Sequence, residues 1–169
     1  MVAVNWSDLI ARPADRLGAT IRNGAELLRF GGFETGSRPS PYQTVERCDM
    51  YRLRRYFPDS LADRPRPPVV LVPPMMMSAN VFDITREQGA VGILHDLGVD
   101  PWVVDFGAPD LERGGLARTF SDHVTALSRV VDSVRECTGR DVHLVGYSQG
   151  GMLCYEAAAY HDPRAWPAS

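Results

Sequence analysis

Three short apolar runs, Val69 to Val72, Trp102 to Val104 and Val142 to Val145, alternate with segments of helical spacing, and this alternation does most to restrict the fold. The first two are continuously apolar and read as buried strands, and Val142 to Val145 reads as a third strand. Between the first two, Val91, Ile93, Leu94 and Leu97 predict a short helix that Gly98 ends. Between the second and third, Leu116, Phe120, Val124, Leu127, Val131 and Val134 step by fours and threes, the strongest helical stripe in the chain. Gly139 stands where the C-terminal cap of that helix belongs. Strand, helix, strand, helix, strand is the signature of a parallel sheet wrapped by right-handed crossovers.

Upstream the pattern changes. From Pro13 to Phe30 the spacing of Leu17, Ile21 and Leu28, with Leu27 beside them, predicts an amphipathic helix stopped by Gly31 and Gly32. Phe33 to Pro41 holds Gly36, Pro39 and Pro41, which break both regular periods and read as a linker. Val45 to Phe57 mixes β-branched and aromatic residues with charges, as in a half-exposed antiparallel hairpin at a sheet edge turning near Cys48 to Met50. The expected organisation is a helical preface over 1–32, a linker over 33–41 and a main domain over 42–169.

Composition removes several classes of function. With 44% apolar and 23% charged residues the chain can build one core but hardly two. Eighteen basic against 21 acidic side chains leave a net charge of -3, without the cationic footprint of a nucleic-acid binder. All 18 basic residues are arginine, which excludes Schiff-base chemistry and a phosphate-loop lysine. Cys48, Cys137 and Cys154 are odd in number and lack C-x-x-C or Cys/His ligand spacing, so no disulfide framework or metal site is expected and no cofactor is implied. Asn5, Ser7 and Asp8 interrupt the stretch a secretory signal would need, and no run approaches a membrane span, so the expected location is cytoplasmic.

The chemistry concentrates after the third strand, in Gly146-Tyr147-Ser148-Gln149-Gly150-Gly151, a G-x-S-x-G match followed by good helix formers. The bare pattern recurs by chance in roughly one chain in ten of this size, so its setting between strand and helix carries the weight. A serine on such a turn takes strained dihedrals that present its hydroxyl, and Gly146 and Gly150, with Gly151 beside them, give room for the chain to pass. The helix that follows points free N–H groups at the site, where the Gln149 N–H can stabilise an oxyanion. A second donor normally comes from the loop after an earlier strand. In Val72-Pro73-Pro74-Met75 the prolines have no N–H, which leaves Met75 as the first candidate.

These residues resemble the α/β-hydrolase superfamily, and within it the polyhydroxyalkanoate synthase-like branch and related lipase-like domains fused to acyl-CoA ligases. The likeness runs from about Val45 to Tyr160, through Val69-Val70-Leu71-Val72-Pro73-Pro74, Val103-Val104-Asp105-Phe106-Gly107 with Pro109, and Gly146 to Gly151. The resemblance implies a serine nucleophile and acyl transfer on an ester or acyl-CoA-like substrate. One departure stands out: polyester synthases carry cysteine where this chain has Ser148, and a thiolate differs from a hydroxyl in acidity and in how it carries a growing acyl chain. That argues against polymerisation. Cys154 is no substitute, since six residues along a helix put it about 9 Å of rise below Ser148.

In this fold the triad acid and base follow the nucleophile on later strands. Only 21 residues follow Ser148, and their candidate pair, His161 and Asp162, stands at the far end of a helix about 20 Å long, whereas a base must approach within about 3 Å. His95, His123 and His143 precede Ser148 and fall in predicted helices or a strand, while Asp105 and Asp110 lie close to the expected active-site face but are explained equally well as turn formers, so neither is assigned to the triad. A complete domain of this class needs about eight strands and some 250 residues, against about 128 after the linker. The expectation is an incomplete α/β-hydrolase fold lacking its C-terminal strands, inactive as an isolated chain and able to self-associate through an open sheet edge. The competing expectation is a half-domain without catalysis, or a gene fragment, that binds a partner or acyl ligand.

Overall fold

The computed structural model describes residues 39–61 and 66–161. The chain divides into two compact units, Met1–Ser37 and Arg38–Ser169. The helix expected over Pro13 to Phe30, the preface over 1–32 and most of the 33–41 linker lie outside the described residues.

The second unit opens with a hairpin, β1 (Tyr42–Arg47) and β2 (Arg52–Tyr56), closed by a turn in which the Cys48 N–H donates to the Tyr51 carbonyl at 3.0 Å. Three further strands follow, β3 (Pro68–Val72), β4 (Asp100–Asp105) and β5 (His143–Gly146), with helices α1 (Ala90–Asp96), α2 (Phe120–Thr138) and α3 (Gln149–His161). They form one sheet in the order β1-β2-β4-β3-β5, in which β2 runs antiparallel to β4, whereas β4, β3 and β5 are mutually parallel. The mixed sheet with flanking helices and an N-terminal antiparallel hairpin is the fold class the sequence predicts.

Alternation along the strands sorts the core onto two faces. Leu53, Val70, Val72, Trp102 and Val104 face α2 and α3, where they meet Val124, Leu127, Val130, Val134, Leu153 and Ala157. Tyr56, Val69, Leu71 and Val103 face the other way and are covered by Phe57, Ala79, Phe82 and Val91. β3 and β4 are buried at every position because both faces are covered.

The long helix differs from its sequence pattern at the start. Leu116 is not part of α2 but sits in a 3-10 turn, Gly115–Ala117, at 85% exposure. The helix begins at Phe120 because Thr119 and Asp122 form a capping box there, each side chain accepting from the other's backbone N–H. At the other end Gly139 adopts φ 65° and its N–H closes on the Arg135 carbonyl.

β5 differs from its neighbours. It stands at the margin of the sheet among the described residues, with Leu144 turned into the core and His143 and Val145 exposed. Val145 is 49% exposed, and Tyr147, Met152, Tyr155 and Tyr160 continue an apolar, solvent-facing border along α3.

Candidate active site

The parallel strands all end on one side of the sheet, and three connections leave from there: 73–77 after β3, 106–115 after β4, and 147–149 after β5. Ligand sites of open α/β sheets form at this carboxyl end. Val72 pairs with Gly146 in register, and the Tyr147 N–H donates to the Val72 carbonyl at 3.0 Å, so the first and third connections leave adjacent strands from a shared clasp.

Ser148 occupies the corner between β5 and α3 with φ 54°. A non-glycine residue there pays about 1–2 kcal/mol against ordinary backbone, so the surroundings must hold it. They do so through backbone contacts. The Gly150 N–H donates to the Tyr147 carbonyl and the Gly151 N–H to the Ser148 carbonyl, both at 2.9 Å. A Cβ at Gly146 would lie 2.2 Å from the Gly150 carbonyl, and one at Gly150 would lie 2.0 Å from the Val72 oxygen. Gly151 is different: its Cβ would sit 3.5 Å from the Gly146 oxygen, an ordinary contact, so its role is the hydrogen bond and not the space. Among the described residues Phe57 also has positive φ, 52°, but it is 7% exposed and stacked on His95 at 4.2 Å, whereas Ser148 is exposed to solvent.

The two expected oxyanion donors sit on the clasped connections. Gln149 is the first residue of α3, where N–H groups have no partner within the helix. Met75 lies inside the turn closed by the Met77 N–H on the Pro74 carbonyl at 3.0 Å, with its side chain packed against the core. Met76 and Met77 are 75% and 37% exposed and take no part in that packing. The side-chain Oε1 of Gln149 is buried without a hydrogen-bond partner among the described residues, a feature the sequence does not signal.

The remaining titratable candidates are engaged elsewhere. His123 is buried, with Nδ1 2.7 Å from the Thr119 carbonyl and its ring edge-on to Phe106. His95 packs on Phe57 and lies 3.2 Å from Arg66; burial, then the Arg66 charge, pushes its pKa down. His143 opens β5 at the end opposite the elbow, and His161 closes α3. Asp105 does more than form a turn. Its buried carboxylate pairs with Arg54, lies 3.8 Å from Arg52 and accepts from the Gly107 N–H at 3.0 Å. Arg52 in turn holds Glu112 at 2.5 Å. Arg52 and Arg54 alternate onto one face of β2 opposite the end of β4, a pairing that only the strand register brings about. Asp110 is exposed in the following turn. Cys154 is half-buried against the core, and burial pushes its thiol up to about 11. No helix among the described residues is long and apolar enough to cross a membrane.

No family model matches the sequence. The chain is 31% identical over 152 residues to the Poly(3-hydroxyalkanoate) polymerase subunit PhaC of Allochromatium vinosum, covering 88% of this chain and 41% of that protein. It is 30% identical over 94 residues to the subunit of the same description from Haloferax mediterranei, covering 54% of this chain and 19% of that one. Among solved structures, Est1E from Butyrivibrio proteoclasticus with bound ferulic acid superposes with a TM-score of 0.50 at 19% identity, over 70% of this chain and 47% of that one. The mature lipase BlEst2 of Bacillus licheniformis gives 0.47 at 21% identity, over 74% and 42%. The chain thus spans less than half the length of the proteins it matches.

Proposed function

Because the chain carries the N-terminal strands of an α/β-hydrolase fold, we propose that Ser148 is the nucleophile of an acyl-transfer reaction on an ester or thioester. In this reading the Ser148 Oγ attacks the carbonyl carbon, its proton passes to a base, and the negative charge on the carbonyl oxygen is met by the Met75 and Gln149 N–H groups. The alcohol or thiol then leaves with a proton, and water or another alcohol takes the acyl group from the serine. The observation that carries the reading is a solvent-exposed serine at φ 54°, held between two glycines whose Cβ positions are filled by backbone.

In this reading the acid and base come from residues outside those described: His95 and His123 are held by Phe57 and Arg66 and by Thr119 and Phe106, and His143 and His161 stand at the ends of β5 and α3 remote from Ser148. The 169 residues alone are then expected to give no turnover. A fluorophosphonate probe tests the assignment: it should label Ser148, mapped by peptide mass, in protein that also carries the later Asp and His, and Ser148→Ala should lose the label. No label on a correctly folded protein of that length would end the assignment.

A second reading is a half-domain without catalysis that binds through β5, either to a partner or to a second copy. It is favoured by the exposed Val145 on a marginal strand. A monodisperse monomer by size-exclusion chromatography at high concentration would remove the second-copy form of this reading.

A further inference from the structure

On the far side of the Met75 turn from the elbow lies a cleft of 250 Å³, between the connection after β3 and the one after β4. Its rim is apolar. Met76 and Leu111 stand on opposite connections at 75% and 83% exposure, with Ala108 between them. Its floor is ionic: Arg52, bound to Glu112, and the buried Asp105 line it, and Arg54 outside the lining supplies the second counter-charge by pairing with Asp105. Two guanidinium groups against two carboxylates leave no formal charge for a ligand to neutralise. An ionised headgroup entering here would lose its hydration and find every counter-charge already taken. An uncharged chain would bring Met76 and Leu111 out of water at no such cost.

Position gives the cleft its meaning. β5, β3 and β4 are consecutive in the sheet, so the elbow, the Met75 turn and the cleft follow one another at strand spacing, about 10 Å from first to last. Met76 is the residue after the expected oxyanion donor. A carbonyl held between Met75 and Gln149 would place its chain within reach of Met76 and the cleft beyond it.

The geometry points to a specificity subsite here: the cleft between Met76 and Leu111 receives the uncharged acyl chain of the substrate, selecting a neutral chain over one ending in a carboxylate. The assignment rests on Ser148 marking the reacting end, but it makes its own demand on binding. The probe is laurdan, an uncharged dodecanoyl naphthyl ketone whose emission shifts when the ring and carbonyl at the head of its chain leave water, titrated with the full chain. Saturable binding is expected, weakened at least about tenfold in Met76→Ser/Leu111→Ser. Both positions are on the surface, so the variant folds, which far-UV circular dichroism checks. Leu97→Ser, equally apolar and 74% exposed but distant in the fold, should leave binding unchanged. Dimethyl dodecanedioate should displace the probe at least about tenfold better than monomethyl dodecanedioate, whose free carboxylate stands at the end of the chain that enters the cleft. Binding indifferent to the double variant, equal loss in Leu97→Ser, or equal competition by diester and monoester would each overturn the subsite. These readouts need no turnover. A chain that never labels at Ser148 but shows the expected binding defeats the nucleophile reading alone, and a labelled Ser148 with unaltered binding in the double variant defeats the subsite alone.

Discussion

Gly150→Ala is the sharpest test of how the elbow is held, because two opposing effects can be sized in advance. In a helix, alanine is better than glycine by about 1 kcal/mol, so a substitution in the first turn of α3 would ordinarily stabilise. At Gly150 the new Cβ would lie 2.0 Å from the Val72 oxygen, 2.8 Å from the Val72 carbonyl carbon and 3.0 Å from the Pro73 oxygen. All three are backbone atoms, and no rotamer change relieves them. The start of α3 must therefore retreat from β3 by more than 1 Å (roughly), straining the Tyr147 to Val72 hydrogen bond; forcing extra volume into packed structure costs about 1–3 kcal/mol, or more when only backbone can give. Gly151→Ala is the internal control, since its Cβ meets the Gly146 oxygen at an ordinary 3.5 Å. Urea denaturation, followed by fluorescence of the buried Trp102, should show Gly150→Ala less stable than the parent by about 2 kcal/mol or more and Gly151→Ala equal to it or more stable by up to about 1 kcal/mol. If Gly150→Ala were as stable as the parent, the steric account of the elbow would be wrong.

Two further outcomes follow from groups around the site. Burial keeps the Cys154 thiol protonated up to about 11, against 9.0 for an ordinary thiol, so the folded chain retains a proton that the unfolded chain releases. Iodoacetamide at pH 8 should modify the exposed Cys48 and Cys137 and spare Cys154, whose contribution to stability falls away as pH rises from about 9 through 11; alkylation of Cys154 as fast as Cys48 at pH 8 would contradict this. Asp105→Asn removes the buried counter-charge of Arg54 and Arg52 and should cost about 3 kcal/mol in urea unfolding, whereas Asp110→Ala should stay within about 0.5 kcal/mol; equal effects would refute the assignment of Asp105 to an ion-pair floor.

What could be read from the sequence was what local pattern encodes. The runs at Val69 and Trp102 announced β3 and β4 because strands covered on both faces lose polar alternation. Gly139 announced the end of α2, and the G-x-S-x-G spacing announced the corner at Ser148. Leu116 misled, since it keeps the helical interval while a capping box at Thr119 starts the helix later, and the hydrophobic spacing carries no trace of that hydrogen bond. The ionic floor under Met76 and Leu111 could not be read at all. It depends on Arg52 coming opposite Asp105, a pairing of residues far apart in the chain that exists only once β2 docks antiparallel on β4. The same holds for Gly146 and Gly150, whose need for empty space came from a motif but whose obstructing atoms belong to a distant strand in one case and to the next turn of helix in the other.

The single backbone bond from Tyr147 to Val72 has a mechanical consequence. Because it yokes the loop after β3 to the elbow, thermal twisting of the sheet would carry both loops together. In the acyl-transfer reading proposed above, charge stabilisation would then be built from one small neighbourhood, with proton movement delivered by a different part of the architecture. The two would tolerate imprecise docking in unequal measure: the first arrives rigid, and only the second has to be aimed.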